Sequence, residues 1–137
     1  MTRVLVVDDQ ELVRGGFRLI LEHSGVDVVG EAANGQEAVA LARELQPDVV
    51  LMDIRMPVMD GVEATEVMLR GPPPHPRILV LTTFDADEYV YRAMRAGASG
   101  FLLNDVSPTD LVHAVGVVAR GDTLLASALT RRLLERF

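Results

Sequence analysis

Three aspartates stand where strong chemistry could be done. Asp8 and Asp9 are adjacent and follow the apolar run Val4 to Val7, and Asp53 follows the apolar run Val49 to Met52. Singly, each has an ordinary explanation. Asp8 lies three residues before Glu11 and could cap a helix, and Asp9 could cap the same helix alone. Asp53 is harder to explain that way, because "DIRMP" follows it with a proline turn and a better cap, Asp60, comes later. Brought together uncompensated, three carboxylates raise one another's pKa, and one tends to protonate. A hard divalent cation removes that cost, and Mg²⁺ prefers a few carboxylates together with waters and phosphate oxygens. A carboxylate beside such an ion can attack phosphorus and become an aspartyl phosphate. Phosphoryl transfer mainly requires positioning and charge neutralisation. Thr82 and Thr83, after the run Ile78 to Leu81, offer a hydroxyl to a phosphate oxygen, although threonine is also an ordinary strand residue.

These residues can meet only if the fold gathers them. The three apolar runs are continuous rather than alternating, as in strands covered on both faces of a parallel sheet. Asp27 to Glu31 and Gly100 to Leu103 are weaker strand candidates. Between the strands lie helical stripes: Val13, Phe17, Ile20 and Leu21; Ala38, Leu41, Ala42 and Leu45; Val90, Ala93 and Met94; Leu111, Val112, Val115 and Val118. A shorter helix is expected from Gly61 to Leu69. Asn34, Asp60 and Asp85 each precede a glutamate by three residues, the capping-box spacing, and Ser107-Pro108 reads as an N-cap followed by a first-turn proline. The order is β-α five times over, which argues for a doubly wound α/β fold with helices on both faces of a five-stranded parallel sheet. In the flavodoxin-like order 2-1-3-4-5, strands one and three are neighbours, and their carboxyl ends bring Asp8, Asp9 and Asp53 to one crevice at the switch point.

Composition narrows the remaining choices. A chain of 137 residues with about half its residues apolar suits one domain with a proper core. The formal charge of −7 repels a nucleic-acid backbone, so DNA contact through this chain alone is not expected. No apolar run reaches membrane-span length, no signal peptide is expected, and there is no cysteine, which together favour the cytoplasm. All 13 basic residues are arginine. His23, His75 and His113 fit no ligand spacing and read as structural or surface residues. Met56 and Met59 read as packing residues, and one of Tyr89 and Tyr91 is expected to face outward.

The combination of "DD" at 8–9, "MDIRMPVMDG" at 52–61, "LTTFD" at 81–85 and "AGASGFLL" at 96–103 resembles the receiver domains of two-component response regulators. The wording of "DDQELVRGGF", "AMRAGASGF" and "TRRLLERF" is most similar to the NarL/LuxR-type transcriptional regulators. The resemblance covers roughly residues 2 to 121. It implies that Asp53 is the phosphoacceptor, that Asp9 binds Mg²⁺ directly, and that Asp8 assists directly or through water. It also implies that the backbone carbonyl of Arg55 completes the protein's share of the coordination shell. Thr82 becomes the switch hydroxyl and Phe101 the aromatic that swings inward as Thr82 moves. One position departs from the pattern. The family usually places a lysine three residues after the aromatic of the fifth strand, and here Asn104 stands there. Asparagine is neutral and shorter and cannot make the ion pair to a phosphoryl oxygen. Arg55 reads either as a solvated loop arginine or as a partial replacement for that charge.

The resemblance therefore implies a regulatory module rather than an enzyme with a separate substrate. A sensor histidine kinase or a small acyl-phosphate donor supplies the phosphoryl group, and the change biases homodimerisation or an output domain for transcription. Residues 1–121 form the receiver. Residues 122–137 form a C-terminal helix, with Leu129, Leu133 and Phe137 on one face, or begin a linker to a DNA-binding domain absent from this chain. The alternative is a degenerate receiver, blunted by Asn104 and controlled by a ligand or protein partner. A flavodoxin-like nucleotide binder or Mg²⁺-dependent phosphatase is a third reading. It sits poorly with a first strand that leads into "DDQE" instead of a Gly- or Ser/Thr-rich phosphate cradle.

Overall fold

The computed structural model describes residues 1–83, 87–125 and 135. Its elements run β1 Arg3–Val7, α1 Glu11–His23, β2 Asp27–Ala32, α2 Gly35–Leu45, β3 Val49–Asp53, α3 Gly61–Arg70, β4 Arg77–Thr82, α4 Asp87–Ala96, β5 Gly100–Leu103, α5 Pro108–Ala119 and β6 Leu124–Leu125. All pairings are parallel, and the sheet order is β2-β1-β3-β4-β5-β6. The five expected strands thus take the expected order. The sixth, two residues long, pairs with β5 through Gly100 opposite Leu124 and Phe101 opposite Leu125, so the sheet runs on past residue 121.

The strand residues divide between two cores by simple alternation. Leu5, Val7, Val50, Met52, Ile78, Val80 and Phe101 point to the side covered by α2, α3 and α4. Val4, Val6, Val49, Leu51, Leu79, Leu81 and Leu102 point to the other side, against Leu21 of α1 and Leu111, Ala114, Val115 and Val118 of α5. Successive strand side chains face opposite sides, so a sheet covered on both faces needs every strand residue apolar. That is the physical content of the unbroken runs.

Helix starts follow the capping signals. The Asn34 side chain accepts the Glu37 N–H at 2.9 Å, while Glu37 reaches back to accept the Ala33 N–H at 3.1 Å. Asp60 accepts the Glu63 N–H at 2.9 Å, and Ser107 accepts the Asp110 N–H at 3.2 Å with Pro108 in the first turn. Asp85, and the stripe Leu129, Leu133 and Phe137, lie outside the described residues. Two smaller expectations are corrected. Met94 is 42% exposed and does not belong to the buried stripe of α4, which is carried by Val90 and Ala93. Tyr89 and Tyr91 are both half-buried against the α2–α4 core, so neither simply faces out. Among the described residues, no helix is long and apolar enough to cross a membrane.

α3 is seated directly on the end of β3. The Gly61 N–H donates to the Ile54 carbonyl at 2.8 Å, and a Cβ added at Gly61 would lie 2.8 Å from both the Asp53 carbonyl oxygen and the Ile54 Cα. These are backbone atoms that cannot step aside cheaply. Gly61→Ala is expected to lower stability by about 2 kcal/mol, in spite of alanine's better helix propensity. Urea unfolding measures this loss, and an unchanged midpoint would show that the helix slides away freely.

Candidate functional site

The winding direction reverses between β1 and β3, which are hydrogen-bonded neighbours with Val7 opposite Met52. Asp8 and Asp9 leave the carboxyl end of β1, and Asp53 is the last residue of β3. This is the switch point, where a crevice is expected. One carboxylate oxygen from each of Asp8, Asp9 and Asp53 lies within 4.8 Å of the others. Asp8 is buried, Asp53 half-buried and Asp9 exposed.

Neither Asp8 nor Asp9 caps α1. The helix begins after Gln10, whose side chain makes no capping bond. The Asp8 side chain instead accepts the Gln10 N–H at 2.9 Å, two residues on. Both explanations that a lone aspartate would have had are therefore absent from the geometry. None of the three carboxylates forms an ion pair among the described residues; the nearby arginines Arg14 and Arg18 go to Glu31 and Glu22.

The electrostatic consequence is uncompensated repulsion. Burial, then the Asp8 charge, then the Asp9 charge push the Asp53 carboxyl up to about 6, against the Arg55 and Ile54 backbone N–H groups that favour its anion. Burial also raises Asp8, opposed by the Gln10 N–H, assisted by Asp9 and opposed last by the Arg14 charge. Three hard oxygen donors, two of them in surroundings that disfavour their ionisation, form the ligand set a small divalent cation takes.

The other expected residues lie at or next to the ends of β3, β4 and β5. Thr82 ends β4, is 1% exposed, and its hydroxyl donates a long 3.3 Å bond to the Thr83 carbonyl. Phe101 is 3% exposed, within the α2–α4 core. It faces Val80 across the β4–β5 ladder, two residue pairs from the Thr82–Leu103 pair and so on the same side of the sheet. Asn104 follows β5; its N–H donates to the Thr82 carbonyl at 2.8 Å and its side chain is exposed. Arg55 is exposed, with its guanidinium 5.4 Å from the centre of the Tyr89 ring, which Arg92 also approaches at 5.9 Å. A cation on an aromatic face is a defined position rather than a freely solvated one. His23, His75 and His113 join no metal-ligand group among the described residues.

Comparison with known proteins settles the family. Residues 4–116 match the family model described as the response regulator receiver domain. The chain belongs to that family. Its relatives are LuxR/NarL-family transcriptional response regulators. The receiver is 41% identical over 134 residues to the transcriptional regulatory protein YxjL of Bacillus subtilis, covering 97% of this chain and 61% of that protein. It is 42% identical over 135 residues to the response regulator protein VraR of Staphylococcus aureus, covering 98% of this chain and 64% of that one. Among solved structures, the signal receiver domain of the response regulator NarL from Mycobacterium tuberculosis superposes with a TM-score of 0.83 at 42% identity, over 88% of this chain and 97% of that chain. The receiver chain thus spans less than two thirds of the curated regulators it matches.

Sequence reasoning passed over two residues that shape the crevice. Gly61, which lets α3 abut Asp53, was legible only as a helix start. Arg14 donates from Nη1 to the Asp8 carbonyl at 2.7 Å, a contact to a backbone atom that no side-chain pattern announces.

Proposed function

We propose that this receiver accepts a phosphoryl group on Asp53, with Mg²⁺ held by Asp8, Asp9, Asp53 and the Arg55 backbone carbonyl. The observation that carries the reading is the meeting of three unpaired carboxylates at the β1–β3 switch point, one of them half-buried and reluctant to ionise. The donor set fits the ion: all hard oxygens, no sulfur or imidazole. When bound, Mg²⁺ supplies charge neutralisation for the carboxylates and the incoming phosphoryl oxygens.

The chain's own residues do the rest. An Asp53 carboxylate oxygen attacks the phosphorus of a phosphohistidine on a sensor histidine kinase, or of a small acyl phosphate. A P–O bond to Asp53 forms as the P–N bond, or the donor's P–O bond, breaks. The electron pair of the broken bond leaves with the imidazole or the carboxylate. The Ile54 and Arg55 N–H groups hold the attacking carboxylate in place. Thr82 then turns its hydroxyl from the weak Thr83 contact to a phosphoryl oxygen; Phe101, which the resemblance expects to swing inward as Thr82 moves, is already at the inward position, 3% exposed. The surface of α4 and β5 changes shape, which biases homodimerisation or an output domain that regulates transcription. Such a protein works in the cytoplasm, and its contact with DNA runs through a domain outside this chain.

A second reading has one observation in its favour. Asn104 occupies the lysine position, and its exposed side chain is uncharged. In that reading the crevice persists, phosphorylation is slow, and a ligand or protein partner sets the state. Intact-mass measurement after incubation with acetyl phosphate separates the two. The first reading expects gain of one phosphoryl group with Mg²⁺ and none with EDTA. No gain under either condition removes it.

A further inference from the structure

We propose that Arg14 is a positioning residue for the acidic crevice: it clamps the main chain of Asp8, with Glu31 rather than a crevice carboxylate as its ion-pair partner. The proposal rests on the reading of the crevice as a cation site.

An arginine beside a cluster of aspartates would normally pair with them, because a charge-assisted bond to a carboxylate is stronger than one to a neutral carbonyl. Arg14 does otherwise. Its Nη1 donates to the Asp8 carbonyl at 2.7 Å and its Nε to Glu31 at 3.3 Å. Glu31 sits on β2, half-buried, and is held from the other side by Arg18 at 2.8 Å. Arg18 is fixed in turn by Glu22 at 3.4 Å. The hydrogen bond from Arg18, then burial opposing it, then the bond from Arg14 set the Glu31 carboxyl, and the balance holds it below its usual range. Glu31 is therefore a charged partner that keeps the guanidinium where it is. The Arg14 side chain is 16% exposed, and a planar fork with two directed donors engaged has little freedom left.

The clamp completes a three-point hold on Asp8. Its N–H donates to the Ala32 carbonyl at 3.1 Å, its carbonyl accepts from Arg14, and its side chain accepts the Gln10 N–H. Both main-chain groups are thus tied to β2, one directly and one through Arg14 and Glu31. Rotation of the peptide after Asp8 would turn its carbonyl and carry Asp9 away from the other two carboxylates. Partners that orient ligating groups matter to affinity nearly as much as the ligands do.

Charge and positioning predict opposite signs, which makes the test decisive. By Coulomb's law alone, removing a positive charge beside the crevice tightens binding of a cation. Loss of the clamp weakens it. Isothermal titration of the full chain with MgCl₂ measures the affinity for the wild type, Arg14→Met and Arg14→Lys, with thermal melting in EDTA confirming the fold of each. Arg14→Met is expected to bind Mg²⁺ roughly tenfold more weakly. Arg14→Lys keeps the charge but cannot hold the carbonyl and Glu31 together, and falls between. Equal or tighter binding by folded Arg14→Met overturns the proposal. If Arg14→Met does not melt cooperatively, wild-type affinity in Arg14→Lys overturns it. A wild type without saturable Mg²⁺ binding would sink the cation reading itself, and the clamp with it; a wild type that binds, matched by Arg14→Met, sinks the clamp alone.

Discussion

Asp53→Asn should remove all Mg²⁺-dependent gain of a phosphoryl group from acetyl phosphate and, in the same protein without Mg²⁺, raise its stability. The first effect is chemical. An amide oxygen is a far weaker nucleophile than a carboxylate, and Asp8 and Asp9 leave a different strand end; a residual rate below about one hundredth of wild type is expected. Wild-type labelling in Asp53→Asn would move the acceptor elsewhere. The second effect follows from the raised Asp53 pKa. The folded protein holds that proton up to about pH 6, whereas the unfolded chain releases it near 3.8. The folded-state pKa is the higher one, so the group favours folding below pH 3.8, and that contribution is lost as pH rises through 6. Above it, the ionised carboxylate costs the metal-free fold at most about 3 kcal/mol, and about 1–2 kcal/mol once its partial contact with solvent is counted.

Asparagine has the same shape, keeps an oxygen for the Ile54 and Arg55 N–H groups, and never ionises. In EDTA at pH 7.5 the variant should therefore unfold at higher urea than wild type, and the gap should close below pH 4. Mg²⁺ binds only the folded chain, so it stabilises wild type more than the variant and narrows the difference. A variant no more stable than wild type at neutral pH in EDTA would mean that burial and the neighbouring Asp8 charge do not together disfavour the Asp53 carboxylate in the fold.

The sequence is most legible where burial is complete. Val4 to Val7 and Val49 to Met52 are all 1% exposed or less, and a strand covered on both faces leaves no other residue types possible. The caps at Asn34, Asp60 and Ser107 are equally readable, because each acts within three residues of itself. Local reasoning fails where the same residue type has two uses. Asp8 has capping spacing to Glu11, yet α1 starts uncapped after Gln10 and Asp8 turns toward the crevice. β6 is two residues long, too short for any periodicity, and exists because β5 offers an open edge. Leu12 at 92% and Leu19 at 72% exposure are apolar residues of α1 that its core-facing stripe leaves out.

The crevice divides the same way. Its three carboxylates could be placed from strand ends and strand order alone. What surrounds them could not. Arg14 grips a carbonyl, Arg55 lies over Tyr89 from a different element, and Gly61 matters for an atom it lacks. Val58 is a further case: it takes φ +70° between Pro57 and Met59, where the Met59 N–H donates to the Pro57 carbonyl at 2.7 Å. A β-branched residue strongly avoids that region, so composition gives no hint of such a turn. These contacts depend on side-chain direction and long-range register, which a one-dimensional pattern does not encode.

Asn104→Lys carries the other large expected effect. The backbone at residue 104 is fixed, because its N–H donates to the Thr82 carbonyl, and β4 in turn pairs Leu81 with Asp53. A side chain at this position therefore starts beside the acidic crevice, and what asparagine lacks is reach and charge. Lysine adds a four-carbon stem and an ammonium, whose charge-assisted bond to a phosphoryl oxygen contributes about 1.5–3 kcal/mol. If that bond strengthens as charge develops on the transferring group, labelling by acetyl phosphate accelerates roughly 10- to 100-fold. The same ammonium favours the Asp53 carboxylate, so it should also pull that carboxyl down from about 6 and shrink the stability gained on Asp53→Asn in EDTA. The two readouts check one cause: the double variant Asp53→Asn, Asn104→Lys must lose the labelling while revealing the coupling in its unfolding midpoint. Equal labelling rates for wild type and Asn104→Lys would mean that the missing charge is already supplied. Arg55, two residues after Asp53 and now stacked on Tyr89, would then be the side chain to remove next.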